Sequence, residues 1–205
     1  MNLIYYIDLL GVFVFTISGA YAASEKKHHH DLFSVAFTGF ITSIGGGTVR
    51  DMVLNAPVVW LNKVGYFEAI VSGVLTMLLF RKHISRLSHT LQFFDTTGTA
   101  IFVILGVQKC LALHVNPVAA MVLGMVSGLF GGVIRDTLLN EIPLIFHKEM
   151  IATPCLLGAL MYILLSYTPV DEQLNFILSA LFIIAFRLLA YRFHWSLPRL
   201  HFREE

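Results

Sequence analysis

The sequence predicts an all-α membrane protein: seven transmembrane helices in a 3+3 inverted repeat, one of them appended at the C-terminus, with helices 2 and 5 kinked at glycines. Three observations predict it. Apolar residues make up 57% of the 205 and charged residues only 13%, with a mean hydropathy of +0.75, whereas soluble domains have about 45–50% and about 25%. The apolar residues gather into long runs separated by short polar connections. Finally, a glycine-led motif ending in Arg-Asp occurs twice, at corresponding places in two stretches of chain.

A spanning helix needs about 20 mostly apolar residues. Seven stretches qualify: Asn2–Ala23, Leu32–Asn55, Gly65–Phe80, Leu91–Ala112, Pro117–Leu139, Glu149–Tyr167 and Leu174–Arg192. The first lacks a basic n-region, carries Asp8 early and exceeds the h-region of a signal peptide, so it is kept as a mature helix. The third is short and places Glu68 near its start. Connections this short leave no soluble domain, and residues 1–205 are expected to form a single transmembrane domain. Lys26, Lys27, Arg81, Lys82, Arg86, Lys148, Arg192, Arg199 and Arg203 fall on the side reached after the first helix, and only Lys63 and Lys109 on the other. The positive-inside rule then puts the N-terminus outside and the C-terminus in the cytoplasm.

The internal similarity is extensive. Gly46-Gly47-Thr48-Val49-Arg50-Asp51-Met52-Val53-Leu54-Asn55 matches Gly131-Gly132-Val133-Ile134-Arg135-Asp136-Thr137-Leu138-Leu139-Asn140, and Pro57 and Pro143 follow. Asp8, Gly11 and Gly19 correspond to Asp95, Gly98 and Gly106; Gly39 corresponds to Gly124, and Glu68 to Glu149. The unit spans three helices, an odd number, so its second copy enters the membrane inverted. The expected division is 1–88 for the first repeat, 89–168 for the second, and 169–205 for the seventh helix and cytoplasmic tail. Folds of this kind build a midplane site where their halves meet.

Gly45-Gly46-Gly47 lies within the second span, and Gly128 and Gly131-Gly132 within the fifth. Glycine in a helix interior costs about 1 kcal/mol relative to alanine, so two such clusters invite kinks or unwound turns whose carbonyls face a wet cavity. Close helix packing is the competing reading. Arg50, Asp51, Arg135 and Asp136 are charges within apolar spans, where each normally faces a partner or a water-filled path. Neighbouring residues on a helix do not face each other, so the expected pairing is across halves: Arg50 with Asp136, and Arg135 with Asp51. Thr48-x-x-Asp51 also resembles a capping box for a half-helix after the glycines.

Asp8 and Asp95 are pore-mouth anions or interfacial charges. Lys109 is a candidate gate or a residue snorkelling to the interface, and Arg187 and Arg192 read as snorkelling anchors. Gly73, Ser72 and Gly158 suit either an interface or an internal contact. Cys110 and Cys155 read as small packing residues, with neither a disulfide framework nor a metal pattern. His28-His29-His30 beside Glu25 and Asp31 suits adventitious metal binding more than a built site. No metal site or cofactor is expected.

Several function classes fall away. Disorder needs low hydrophobicity and high net charge, whereas the formal net charge is +1. No Lys/Arg block exceeds two in a row, so a nucleic-acid footprint is absent. Gly-Gly-x-x-Arg-Asp also heads template-independent nucleotidyltransferases, but here it lies twice in apolar spans without the neighbouring Asp-x-Asp. No metalloprotease, serine-hydrolase or Walker motif occurs, and the chain is read as no enzyme.

At its duplicated Gly45–Asp51 and Gly131–Asp136 motifs the chain resembles the prokaryotic members of the trimeric intracellular cation (TRIC) channel superfamily. It is especially similar to small bacterial proteins with two copies of the so-called glycine transporter domain. The resemblance covers nearly the whole chain. It implies a homotrimer in the lipid of a bacterial inner (plasma) membrane, with one pore in each protomer lined by helices 2 and 5, passing monovalent cations, chiefly potassium, with sodium as a second candidate. Candidate pore residues are Gly45, Gly46, Gly47, Arg50, Asp51, Gly131, Gly132, Arg135 and Asp136, with Lys109, Asp8 and Asp95 as gate or mouth. Phe130 stands where the first copy has Gly45, an asymmetry between the two linings. The alternative is a secondary transporter of a small amino acid such as glycine, whose carboxylate suits an arginine and whose ammonium suits an aspartate.

Overall fold

A computed structural model describes residues 3–26, 31–84, 90–147, 150–193 and 195. Seven α-helices follow one another: α1 (Leu3–Ser24), α2 (Leu32–Val53), α3 (Val64–Ile84), α4 (Thr90–Ala112), α5 (Pro117–Leu138), α6 (Ala152–Ser166) and α7 (Glu172–Arg192), with short 3₁₀ turns at Val59–Asn62 and Leu144–Phe146. No strand occurs among the described residues. Among the described residues, six helices are long and apolar enough to cross a membrane; α6, with 15 residues, is shorter. At 1.5 Å per residue it extends about 22 Å, below the ~30 Å hydrocarbon thickness. The third helix runs Val64–Ile84, one residue earlier and four residues later than the expected span, with Glu68 in its second turn. The tri-histidine loop, Lys27, Arg86, Lys148, Glu149, Arg199 and Arg203 lie outside the described residues.

Helix ends follow local chemistry. Asp31, Asn116 and Asp171 accept from backbone N–H groups of the first turns of α2, α5 and α7, and Pro117 opens α5 where no N–H is needed. The two motif helices close alike. Asn55 and Asn140 take left-handed φ of 49° and 54°. Beyond them, Ala56 N–H donates to the Asp51 carbonyl and Glu141 N–H to the Asp136 carbonyl. This is the Schellman closure, and asparagine tolerates its left-handed position better than other non-glycine residues.

α1 and α4 are the most enclosed helices, each packed between neighbours from both halves. α2 and α5 cross at their glycines. A Cβ on Gly46 would overlap the Ser127 carbonyl oxygen, and one on Gly131 would overlap the Thr42 carbonyl oxygen. Each contact is the other with repeat positions exchanged. Gly39 against the Thr16 carbonyl (3.0 Å from an added Cβ) and Gly124 against that of Val103 (2.8 Å) form a second such pair. Phe15 and Phe102 stack with centroids 5.3 Å apart and planes 7° apart. Each ring fills the notch left by a glycine on the opposite helix, Phe15 at Gly98 and Phe102 at Gly11.

α2 and α5 are helical throughout, without an unwound turn at their glycines. The glycines therefore free no carbonyls to line a cavity, contrary to expectation: Gly46 and Gly131 serve close approach of two backbones, and Gly45 packs against the Ile134 side chain. Thr48 caps no half-helix. Its hydroxyl donates to the Ile44 carbonyl (2.8 Å) and accepts from the Trp60 indole (3.0 Å). Gly73 packs on Thr16 and Gly158 on Ile183, so both are internal contacts. Cys110 and Cys155 are buried and free, and the Cys155 thiol reaches the Ile151 carbonyl at 3.2 Å.

Candidate functional site

The charges within the spans gather in two clusters towards opposite ends of the bundle. On α4, Asp95 of one cluster and Lys109 of the other lie about 21 Å apart at 1.5 Å per residue.

In the first cluster, Arg50 and Asp51 stand in the last turns of α2. The Arg50 Nε donates to Asp51 Oδ1 at 2.7 Å, and Lys109 Nζ from α4 meets the same oxygen at 2.8 Å. Asp8 on α1 accepts from the Tyr66 hydroxyl on α3. Arg50 and Asp51 are buried, while the Lys109 side chain keeps a quarter of its exposure. Asp8, Arg50, Tyr66 and Lys109 face a chamber of about 400 Å³ that also takes in Tyr5, Lys63, Gln108 and Glu172. Beneath it, a pocket of about 20 Å³ is bounded by Gly47, Asp51, Trp60 and Phe102.

The second cluster is tighter. The Arg135 side chain is fully buried. Its Nε donates to Asp136 Oδ1 at 2.7 Å, and its Nη1 to Ser18 Oγ and Asp95 Oδ1, both at 2.9 Å. Arg187 on α7 holds the other Asp95 oxygen at 3.1 Å. Asp136 also accepts from the Leu144 N–H at 3.0 Å, tying the turn after α5 to the cluster. Asp95, Gly132, Arg135 and Asp136 border a void of about 10 Å³, room for about one water. Each cluster is neutral: two cations against two carboxylates. Arg50, Asp51, Lys109 and the four charges of the second cluster each find an opposite partner, whereas Asp8 is held by the Tyr66 hydroxyl.

The pairing departs from the expected one. Arg50 bonds Asp51 and Arg135 bonds Asp136, each within its own half. Cβ direction does not limit arginine, whose long stem lets Nε turn back alongside the next residue's carboxylate. Lys109 pairs with Asp51 instead of snorkelling. Arg187 is no interfacial anchor; it is buried and bonds Asp95, which is therefore not an interfacial charge either. Arg187 was legible as a charge well inside an apolar span, the same signal that singled out Arg135. Tyr66, Trp60, Ser18 and the Phe15–Phe102 pair carried no such signal, because aromatic and hydroxyl residues are ordinary in spans. Gly47 and Gly132 border the small cavities, unlike the other motif glycines. Among the described residues, no group of His, Cys, Asp and Glu is placed to hold a metal ion.

Comparison with known proteins covers nearly the whole chain. The family model described as glycine transporter matches twice, over residues 5–82 and 92–167. A UPF0126 membrane protein of Vibrio cholerae is 38% identical over 96% of this chain and 82% of its own length. The inner membrane protein YadS of Escherichia coli is 36% identical over 96% and 95%. Among solved structures, the TRIC trimeric intracellular cation channel orthologue from Rhodobacter sphaeroides superposes with a TM-score of 0.87 at 28% identity, covering 95% of this chain and all of that one. A second, solved to explain conductance through TRIC cation channels, gives 0.85 at 29% identity over the full length of both.

Proposed function

Because the chain belongs to the glycine transporter family of UPF0126 membrane proteins, whose solved structural neighbours are TRIC cation channels, we propose that it is a potassium-permeable cation channel with a pore in each protomer of a homotrimer. The observation that carries this reading is the full-length likeness to cation channels, combined with two buried charge clusters at repeat-equivalent positions. Charges inside a membrane lose solvation and are retained where an ion path uses them.

In this reading the path enters the 400 Å³ chamber, passes Asp51 and Gly47, crosses the level of the Phe15–Phe102 stack and leaves past Gly132 and Asp136. The arrangement described is a closed one. Lys109 occupies the Asp51 oxygen that would attract a cation, and the second cavity is too small for a hydrated ion. Opening requires Lys109 to release Asp51, so that the carboxylate faces a passing cation; weak, multiple contacts then permit departure. Arg50 and Arg135 hold the carboxylates and limit occupancy. The N-terminus faces outside and the C-terminus the cytoplasm of a bacterial inner membrane, with repeat units over 1–88 and 89–168 and the seventh helix over 169–205.

The family description favours a second reading, a glycine carrier, in which the same chamber would hold a zwitterion. Planar-bilayer recording of the purified protein separates them. A channel gives unitary currents under a potassium gradient, reversing on the cation side; a carrier is silent there and takes glycine saturably into liposomes.

A further inference from the structure

The chamber above the first cluster carries three cations, Arg50, Lys63 and Lys109. Its two carboxylates each accept a hydrogen bond, Asp8 from the Tyr66 hydroxyl and Glu172 from the Gln108 amide at 2.7 Å, so the lining keeps one positive charge in excess. Lys63 is exposed, and its ammonium lies 4.5 Å from the centre of the Tyr5 ring. That cation–π contact leaves ammonium protons free for an acceptor. Lys109 holds Asp51 from a second helix while part of its side chain still faces the chamber. A cavity of this size takes a small molecule, and its remaining wall is apolar or aromatic, with Ile4, Tyr5, Val59, Leu105 and Ala112.

We infer that this chamber binds a small organic carboxylate, held between Lys63 and Lys109, and that its binding draws Lys109 away from Asp51. The apolar wall suits a carbon skeleton and so favours a carboxylate over an inorganic anion. The carboxylate competes with Asp51 for the same ammonium: two acceptors of equal charge share one donor, and occupation of the chamber weakens the contact that closes the entrance. Lys63, an exposed residue of the chamber wall, supplies the second contact. The gating half of this inference rests on the channel reading; the binding half does not.

The test is isothermal titration calorimetry of the purified, detergent-solubilised protein with acetate, succinate and inorganic phosphate at low chloride. It is paired with bilayer recording while succinate is added to each chamber in turn. The expected result is saturable carboxylate binding, weakened at least fivefold by Lys63→Gln and abolished by Lys109→Met, with open probability raised at least threefold over the same concentration range. Lys63→Gln alters an exposed side chain and provides the decisive comparison if Lys109→Met fails to assemble. Absence of saturable carboxylate binding, binding of phosphate alone, or binding that Lys63→Gln changes by less than twofold overturns the site. Carboxylate binding in a protein that passes no current supports the site and removes the channel reading; currents without binding do the reverse.

Discussion

Removing Arg187 is expected to destabilise the protein through a carboxylate on a different helix. Arg187 Nη2 lies 3.1 Å from Asp95 Oδ2, with both side chains less than a tenth exposed. At an effective dielectric of about 20, a charge pair at that distance interacts by roughly 5 kcal/mol. Part of this is returned when the arginine no longer has to be desolvated, and Asp95 keeps its bond from Arg135. Loss of one partner of a buried pair costs about 3–5 kcal/mol, and the surviving bond places Arg187→Leu at the lower end, about 3 kcal/mol. For a chain of this length each kcal/mol moves the unfolding midpoint by about 2–4 °C, so the midpoint in detergent should fall by about 6–12 °C. Asp95→Asn alone leaves a surplus cation and should also destabilise. The double variant restores neutrality in the cluster and should recover at least half of the summed loss. A fall below about 2 °C for Arg187→Leu, or a double variant no better than the sum of the singles, would refute the reasoning.

Three further outcomes follow from the geometry. Gly46→Ala and Gly131→Ala each drive a methyl into a backbone carbonyl on the facing helix and should lower stability by about 1–3 kcal/mol. Gly47→Ala, whose nearest neighbour would lie 3.8 Å away, should be neutral or stabilising in the same thermal assay. Asn140→Val, at φ 54°, should cost about 1–2 kcal/mol, with Asn140→Gly close to the native protein by thermal unfolding. Lys109→Met removes the contact between α4 and Asp51 and should raise open probability in bilayer recordings; an unchanged value would show that this pair does not close the entrance.

The fold was legible because its cause is coarse. Long apolar runs and the duplicated motif specify helices and their number without any knowledge of side-chain contacts. The glycines stand out in the sequence as a repeated cluster, but their use does not. In sequence, a glycine that opens a turn looks the same as one that admits a neighbouring backbone, and only the position of the Ser127 and Thr42 carbonyls decides. The charges were found, but their pairing was misjudged. Helical periodicity fixes where Cβ points, whereas arginine sets its contacts several bonds further out, which is how Arg50 reaches Asp51 and Arg135 reaches Ser18, Asp95 and Asp136 together. Arg187 lay in the helix outside the repeat, where internal comparison offered no counterpart.

The ion path proposed above depends on the carboxylates of Asp51 and Asp136 in the two clusters. The most direct measurement is single-channel recording of the purified protein under a potassium gradient, comparing it with Asp51→Ala and Asp136→Ala, with and without glycine. Discrete unitary currents reversing on the cation side, lost in both variants and unaccompanied by saturable glycine uptake, are expected. Silence of the native protein, together with saturable glycine uptake into matched liposomes, would contradict it and make the same residues a carrier site.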